Sequence, residues 1–383
     1  MKTKTMKKLT ALSLMMAVSV WMMGGAFAVA DSNNVDTSLI KGTGGGSAPI
    51  VKVKWEMKAN TQGEDDSTDE GAQFNAPMVW GENMNYEVCA IATDPNGADD
   101  IVGVYADIYY PSDRPMHTSM DPDEIDNPSG GCGAFIEENT LVKLGKEEGI
   151  QLFCDDIRTN NENLPVFTSG YDYDEICGPT GELEKETAFV YCDEKQLTWE
   201  DPAGDYKVRV FAQDTAGNSS DVLQNYYEYL PFTGYEVDFS AVDYGEVLLN
   251  VHKKISGDRD FDPSNSDRPT VRNIGNTRLN MKVAQDDMNL GKTSDDWNVE
   301  YDARVGNDEE DWSIYDPFGY VGETPNESND YTTLNEILDL SETEEMDFSI
   351  LVTKWPDVTN FAGGMWLDAD YAEFDDCCDQ CPY

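Results

Sequence analysis

The chain has 383 residues, with 75 Asp or Glu against 26 Lys or Arg and a net charge of −49 at neutral pH. That balance excludes nucleic acid as a partner, because phosphate recognition relies on clustered Lys and Arg. Trp, Tyr and Phe make up 11% of the residues, large apolar groups that disordered acidic chains lack, so the chain is expected to fold, and its length suggests two domains.

Lys2, Lys4, Lys7 and Lys8 precede an apolar run from Leu9 to Val20, then small residues in Ala26-Phe27-Ala28 and Ala28-Val29-Ala30. This is the charged, apolar and small-residue order of a secretory signal peptide over residues 1–30. The same run is long enough to cross a bilayer, but the two overlapping A-x-A sites favour cleavage, before Val29 or Asp31, with no membrane insertion afterwards. Cleavage removes four lysines and no acids. The acid surplus then has three compatible readings: a self-repelling soluble surface, adaptation to high salt, or binding of divalent cations.

Residues 31–49, with Gly42-Thr43-Gly44-Gly45-Gly46-Ser47, read as a flexible linker. Ile50-Val51-Lys52-Val53-Lys54-Trp55 then alternates apolar and polar as a half-buried strand should. Strands follow at Tyr86–Ala92 and at Ile101–Tyr110, the latter with Val102, Val104, Ala106 and Ile108 on one face. Residues 111–187 break the rhythm. They are rich in Pro, Gly, Asp and Asn, carry three cysteines, and include a helical pattern from Glu137 to Cys154, so they read as a Cys-rich loop/helix insertion.

Strands resume at Ala188–Cys192 and Leu197–Trp199. Gly204-Asp205-Tyr206-Lys207-Val208-Arg209-Val210-Phe211-Ala212-Gln213-Asp214-Thr215-Ala216-Gly217-Asn218 is a strand with Tyr206, Val208, Val210 and Ala212 on one side and a turn at its end, leading to a strand at Asp221–Tyr229. This stretch, with the earlier Asp94-Pro95-Asn96-Gly97, resembles the immunoglobulin-like β-sandwich domains of prokaryotic secreted and cell-surface proteins. The resemblance covers about residues 50–110 and 188–232. It implies an all-β chain with a first sandwich at 50–232, interrupted by the insertion at 111–187. No Cys stands at Ala212, so the inter-sheet disulfide of antibody domains is not expected.

A second antiparallel immunoglobulin-like sandwich is expected over 233–374. Its strand patterns lie at Tyr235–Val242, Glu246–Val251, Thr270–Asn273, Arg278–Ala284, Trp297–Arg304, Met346–Val352 and Met365–Tyr371, with a short helix at Leu334–Leu340. Residues 270–283, around Asn273-Ile274-Gly275-Asn276, look like paired strands about an N-x-G-N turn. Leu230-Pro231-Phe232-Thr233-Gly234 matches a sortase pattern but precedes a whole β block, and reads as an interdomain turn. Residues 375–383 form an acidic Cys-rich tail.

All eight cysteines follow residue 88: Cys89, Cys132, Cys154, Cys177, Cys192, Cys377, Cys378 and Cys381. In an oxidising compartment an even count reads as disulfides, with the pairing open and one of the first five left for the tail or another molecule. Asp258, Asp260 and Asp262 place carboxylates at alternate positions, and with Asp267 they form a candidate calcium turn, calcium being the cofactor this pattern suggests. Pro263 stands where an EF-hand needs Gly, which rejects that motif. Asp94, Asn96, Asp99 and Asp100 form a second candidate. Only His117 and His252 occur, and none of the H-E-x-x-H, G-x-S-x-G or phosphate-loop patterns is present. The expectation is a secreted, non-enzymatic structural or adhesive component of the cell surface or extracellular matrix. Its partners would be other surface or matrix proteins, or glycans, with self-association allowed. The alternatives are a glycan- or ligand-binding module using exposed aromatic rings and, further off, a glycoside-acting enzyme.

Overall fold

The computed structural model describes residues 46–58, 72–109, 135–160, 165–264, 268–326 and 328–372. The expected signal peptide and the Cys-rich tail, including their cleavage site and three cysteines, lie outside these residues. The described structure is predominantly β, in several sheets. No helix among the described residues is long and apolar enough to cross a membrane.

Nine strands form the first block: β1 (Ile50–Lys58), β2 (Gln73–Asn75), β3 (Asn83–Thr93), β4 (Ile101–Tyr109), β5 (Phe135–Lys143), β6 (Val166–Phe167), β7 (Ala188–Thr198), β8 (Gly204–Asp214) and β9 (Leu223–Leu230). They pair in the order β2-β9-β8-β4-β5-β7-β3-β1-β6. Every pairing is antiparallel except β2 with β9. The sheet curls so that β1, near one end, packs on β8 and β9, near the other. One apolar cluster fills the enclosed space, with Val88 and Ala90 from β3, Val104 and Ala106 from β4, Val208 and Val210 from β8, and Tyr227 and Tyr229 from β9. The expected inward face of β8 is therefore present. In β4 a register shift between Ile101 and Gly103 turns Val102 outward, 60% exposed, while Val104, Ala106 and Ile108 stay inside.

The insertion differs from its sequence pattern. Residues 135–143 are strand β5, bridging β4 and β7, and the helical segment begins only at Lys146, runs as a π-helix over Gln151–Ile157 and ends at Arg158–Asn160. Leu141 is drawn into the core beside Val104, and that tertiary pairing overrides the local helical spacing. Behind the helical segment, Phe153 and Ile157 join Ile176, Leu183, Val53, Trp55 and Ile91 in a second apolar cluster. The outer faces of β1, β3 and β7 are thereby covered, so β1 is buried on both sides.

Among the described residues, two disulfides lie in this block. Cys89 and Cys192 are register partners on β3 and β7, bridging neighbouring strands within one sheet, and Cys154–Cys177 fastens the helical segment. Cys132 lies outside the described residues.

The second block holds β10 (Tyr235–Val237), β11 (Lys253–Ile255), β12 (Thr270–Asn273), β13 (Arg278–Gln285), β14 (Lys292–Thr293), β15 (Asp296–Trp297), β16 (Val299–Val305), β17 (Ser313–Tyr315), β18 (Thr332–Leu338), β19 (Thr343–Val352) and β20 (Met365–Ala372). One sheet runs β10-β12-β19-β16-β17 with β11 beside β19, another β18-β13-β20, and β14 and β15 make a hairpin. The two larger sheets bury a common cluster that includes Val271, Met281, Val283, Tyr301, Leu338 and Phe348. The helix expected at Leu334–Leu340 is strand β18. The four-residue spacing of Leu334 and Leu338 fits a helical turn, but it also fits period two, and both side chains point into the core from a strand. The strand expected at Glu246–Val251 is a turn with Leu248, Leu249 and Val251 exposed.

The segment from Leu230 to Gly234 joins the blocks and is stitched by the turn at 273–277. Buried Asn276 accepts the Phe232 N–H at 2.7 Å and donates from Nδ2 to the Leu230 carbonyl at 3.0 Å, while the Ala203 N–H donates to its carbonyl at 2.8 Å. A Cβ on Gly275 would fall 2.2 Å from the Phe232 carbonyl oxygen, so the close crossing requires glycine. Beside it, Trp80 lies against Trp199 with ring centroids 4.1 Å apart, and Arg272 sits over Trp80.

Candidate cation site and exposed aromatic groups

Two acids of the 258–262 turn, Asp258 and Asp262, are used locally. Asp258 Oδ1 accepts the Asp260 N–H at 3.1 Å and the Thr270 hydroxyl at 3.2 Å, and its other oxygen lies 3.8 Å from Arg268. Asp262 Oδ1 accepts both the hydroxyl and the N–H of Ser264, which hold its pKa below the usual carboxylate value. These are side chains capping their own turn. Asp267 lies outside the described residues.

Among the described residues, two groups of potential ligands gather their atoms within 4.8 Å. In one, Glu87 with Cys89 and Cys192, both sulfurs are already bonded to each other. The other is Asp94, Asp100 and Asp214. Asp94 and Asp100 belong to the second turn singled out in the sequence, and Asp214 comes from the end of β8. Antiparallel pairing of Ile101 with Asp214 brings the two turns side by side, and the Thr215 N–H donates to the Asp100 carbonyl at 2.9 Å. Asp214 is 2% exposed; its Oδ1 accepts the N–H groups of Ala216 and Asn218, and its Oδ2 accepts the Asn218 Nδ2–H at 2.8 Å. The Asn218 amide is the main cause of its lowered pKa. Asp100 accepts the Thr215 hydroxyl.

Asp94 differs from both. Its Oδ1 accepts the Asn96 N–H at 2.6 Å, but its Oδ2 is buried with no hydrogen-bond partner among the described residues, in a residue only 4% exposed. A carboxylate oxygen removed from water and left unpaired is costly, and a hard cation shared with Asp100 and Asp214 would satisfy it. The Asp214 contribution was missed in the sequence because 120 residues of chain separate it from Asp94. The D-x-x-G pattern shared by Asp94–Gly97 and Asp214–Gly217 was the available signal.

Other acids with shifted titration serve structure. Burial pushes Asp201 up to about 6, and its Oδ2 accepts both the N–H and the hydroxyl of Thr198. Asp286 is raised by burial, and its carboxylate accepts the N–H groups of Met288 and Gly364. Asp287 accepts those of Asn289, Gly291 and Val321, so these two acids tie together the loops at 286–291, 318–321 and 361–364. Aromatic pairs decorate the same loops: Trp297 with Tyr320, Phe318 with Trp366, and Trp355 with Phe361. Tyr320 is 49% and Trp355 40% exposed.

No family model matches the chain, and no curated protein matches it. Among solved structures, the C-terminal domain of the antigen I/II-family protein AspA of Streptococcus pyogenes is 12% identical, covering 84% of this chain and 95% of that one, with a TM-score of 0.19. A structure named BspA_C_WT is 11% identical, covering 79% and 91%, with a TM-score of 0.17. An α-L-rhamnosidase from Dictyoglumus thermophilum is also 11% identical, covering 79% of this chain and 27% of that one, with a TM-score of 0.16. At these scores the similarities carry no argument about this chain.

Proposed function

We propose that this chain is an extracellular, non-enzymatic structural or adhesive component of a cell surface or matrix, built of two immunoglobulin-like sandwich domains at 50–232 and 233–374. The observation that carries the reading is the pair of disulfides in the first block, Cys89–Cys192 and Cys154–Cys177, bonds that persist in oxidising surroundings outside the cytoplasm. The sandwich reading is supported by Tyr206, near the start of β8, whose hydroxyl donates to the Pro202 carbonyl four residues upstream at 2.9 Å. That is the bond of a tyrosine corner. Antibody labelling of intact and permeabilised producing cells tests the location: label on intact cells is expected, and label confined to permeabilised cells overturns the reading.

Calcium belongs to the same proposal, at Asp94, Asp100 and Asp214 or at the Asp258–Asp262 turn. Extracellular modules bind it with dissociation constants of about 10⁻⁴–10⁻³ M, so millimolar calcium is expected to raise the melting temperature more than sodium chloride of equal ionic strength. Loss of that excess in Asp94→Asn assigns the first site and loss in Asp260→Asn the second; equal shifts with both salts reject both.

A glycan-binding role is the second reading, favoured by the exposed rings on the loops joined by Asp286 and Asp287. Quenching of tryptophan fluorescence by a glycan, abolished in Trp355→Ala, would support it.

A further inference from the structure

We infer that the side chains of Lys54 and Asn225 become joined by an intramolecular amide bond, with Glu56 as the proton carrier, tying the first long strand of the first block to its last. The inference is independent of the function proposed above. It begins with the backbone of β1. Val51 pairs with Ala92 and Val53 with Ile91, so Lys52 is an extra residue in the strand. That bulge reverses the facing of everything after it: Val53, Trp55 and Met57 point to the helical insertion, while Lys54 and Glu56 point into the main core. Lys54 stands opposite Ala90 and Glu56 opposite Val88, both members of that core. From the other side Asn225 of β9, paired with Val208, points inward in the same row as Tyr227 and Tyr229.

The three polar groups meet there and form a closed triangle. Lys54 Nζ contacts both Glu56 Oε1 and Asn225 Oδ1, and Asn225 Nδ2 donates to Glu56 Oε2 at 2.9 Å. Lys54 and Glu56 are 0% exposed and Asn225 is 6% exposed. As an ordinary ion pair this is a poor use of a core, since desolvating two charges offsets their attraction. As a reaction site every group has a place. The amine is a nucleophile beside a carboxamide carbonyl, and one carboxylate touches both the attacking and the departing nitrogen. Burial lowers the pKa of Lys54, despite the opposing effect of Glu56, and so favours the neutral amine whose lone pair attacks. Water is excluded, so the product is protected from hydrolysis.

The step balances without oxidant or cofactor. Glu56 takes one proton from the Lys54 ammonium. The Nζ lone pair attacks Asn225 Cγ, forming the C–N bond, and the carbonyl electrons move to Oδ1. As the tetrahedral centre collapses, the carbonyl reforms and the bond from Cγ to Nδ2 breaks. Glu56 hands its proton to the departing Nδ2, which leaves as ammonia, and receives the second proton lost by Nζ. The products are a secondary amide, ammonia and neutral Glu56.

The direct test is the intact mass of the reduced, alkylated and denatured protein, followed by peptide mapping. We expect a chain lighter by one ammonia and a branched peptide joining the segments that carry Lys54 and Asn225, with full mass in Glu56→Gln and Asn225→Ala. The cross-link closes a loop of about 170 residues, so these variants should melt about 10–20 °C lower than the parent. Full mass in the parent overturns the proposal. So does a loss of ammonia that maps elsewhere, for example to succinimide formation at Asn96-Gly97. A cross-link retained in Glu56→Gln overturns the role of Glu56. Should the variants fail to fold, the mass and map of the parent still decide.

Discussion

The two blocks bury their sheets by different means. In the first, an insertion packs on the outside of β1, β3 and β7, so three strands have two covered faces, and disulfides fasten both the strand pair and the insertion. In the second, two sheets share one apolar cluster, and buried Asn and Asp side chains hold the turns, as Asn273, Asp286 and Asp287 do. The first block thus depends on disulfide ties and a packed insertion, the second on buried polar side chains that join its loops around a single core. The practical lesson concerns alternation: in β1 the polar residues are the ones facing the main core, which no half-buried strand would show.

The largest expected effects break this comparison by emptying one core at a time. Trp55→Ala removes a fully buried ring that packs on Phe153 with centroids 5.1 Å apart, under the insertion. Phe348→Ala removes a fully buried ring from the second core. Each is expected to cost about 3–5 kcal/mol by denaturant unfolding. Trp55→Ala should also loosen the 146–160 segment to proteolysis and leave the second block protected; Phe348→Ala should do the reverse.

A smaller effect is a pH dependence of the first block. Asp201 in the first block titrates at about 6 when folded, against an ordinary value of 3.8, because burial disfavours its charge. The folded state therefore holds the proton more tightly. Its contribution to stability is full below about pH 4 and is lost as pH rises to about 6, a cost of up to roughly 3 kcal/mol at neutral pH. Asp201→Asn keeps a carbonyl oxygen for the Thr198 donors and should flatten the stability profile between pH 4 and 6. An unchanged slope would contradict the assignment.

The β character, the inward row of β8 and the turn at 273–277 were legible because period two and Asn/Gly turn chemistry act locally. The candidate site at Asp94 was half legible: its turn shows in the sequence, but Asp214 joins it only through strand pairing. The facing of β1 was not legible. One extra residue at Lys52 inverts the pattern, and a bulge leaves no mark in residue types. Leu334 and Leu338 were misread because four-residue spacing serves a helix and a strand alike.

The most direct test of the contrast between the blocks is calorimetry of the protein with and without a reductant strong enough to open Cys89–Cys192. The account predicts two transitions, of which reduction lowers the one belonging to residues 50–232 by about 5–15 °C and leaves the other in place. A single transition, or two that move together, would contradict it.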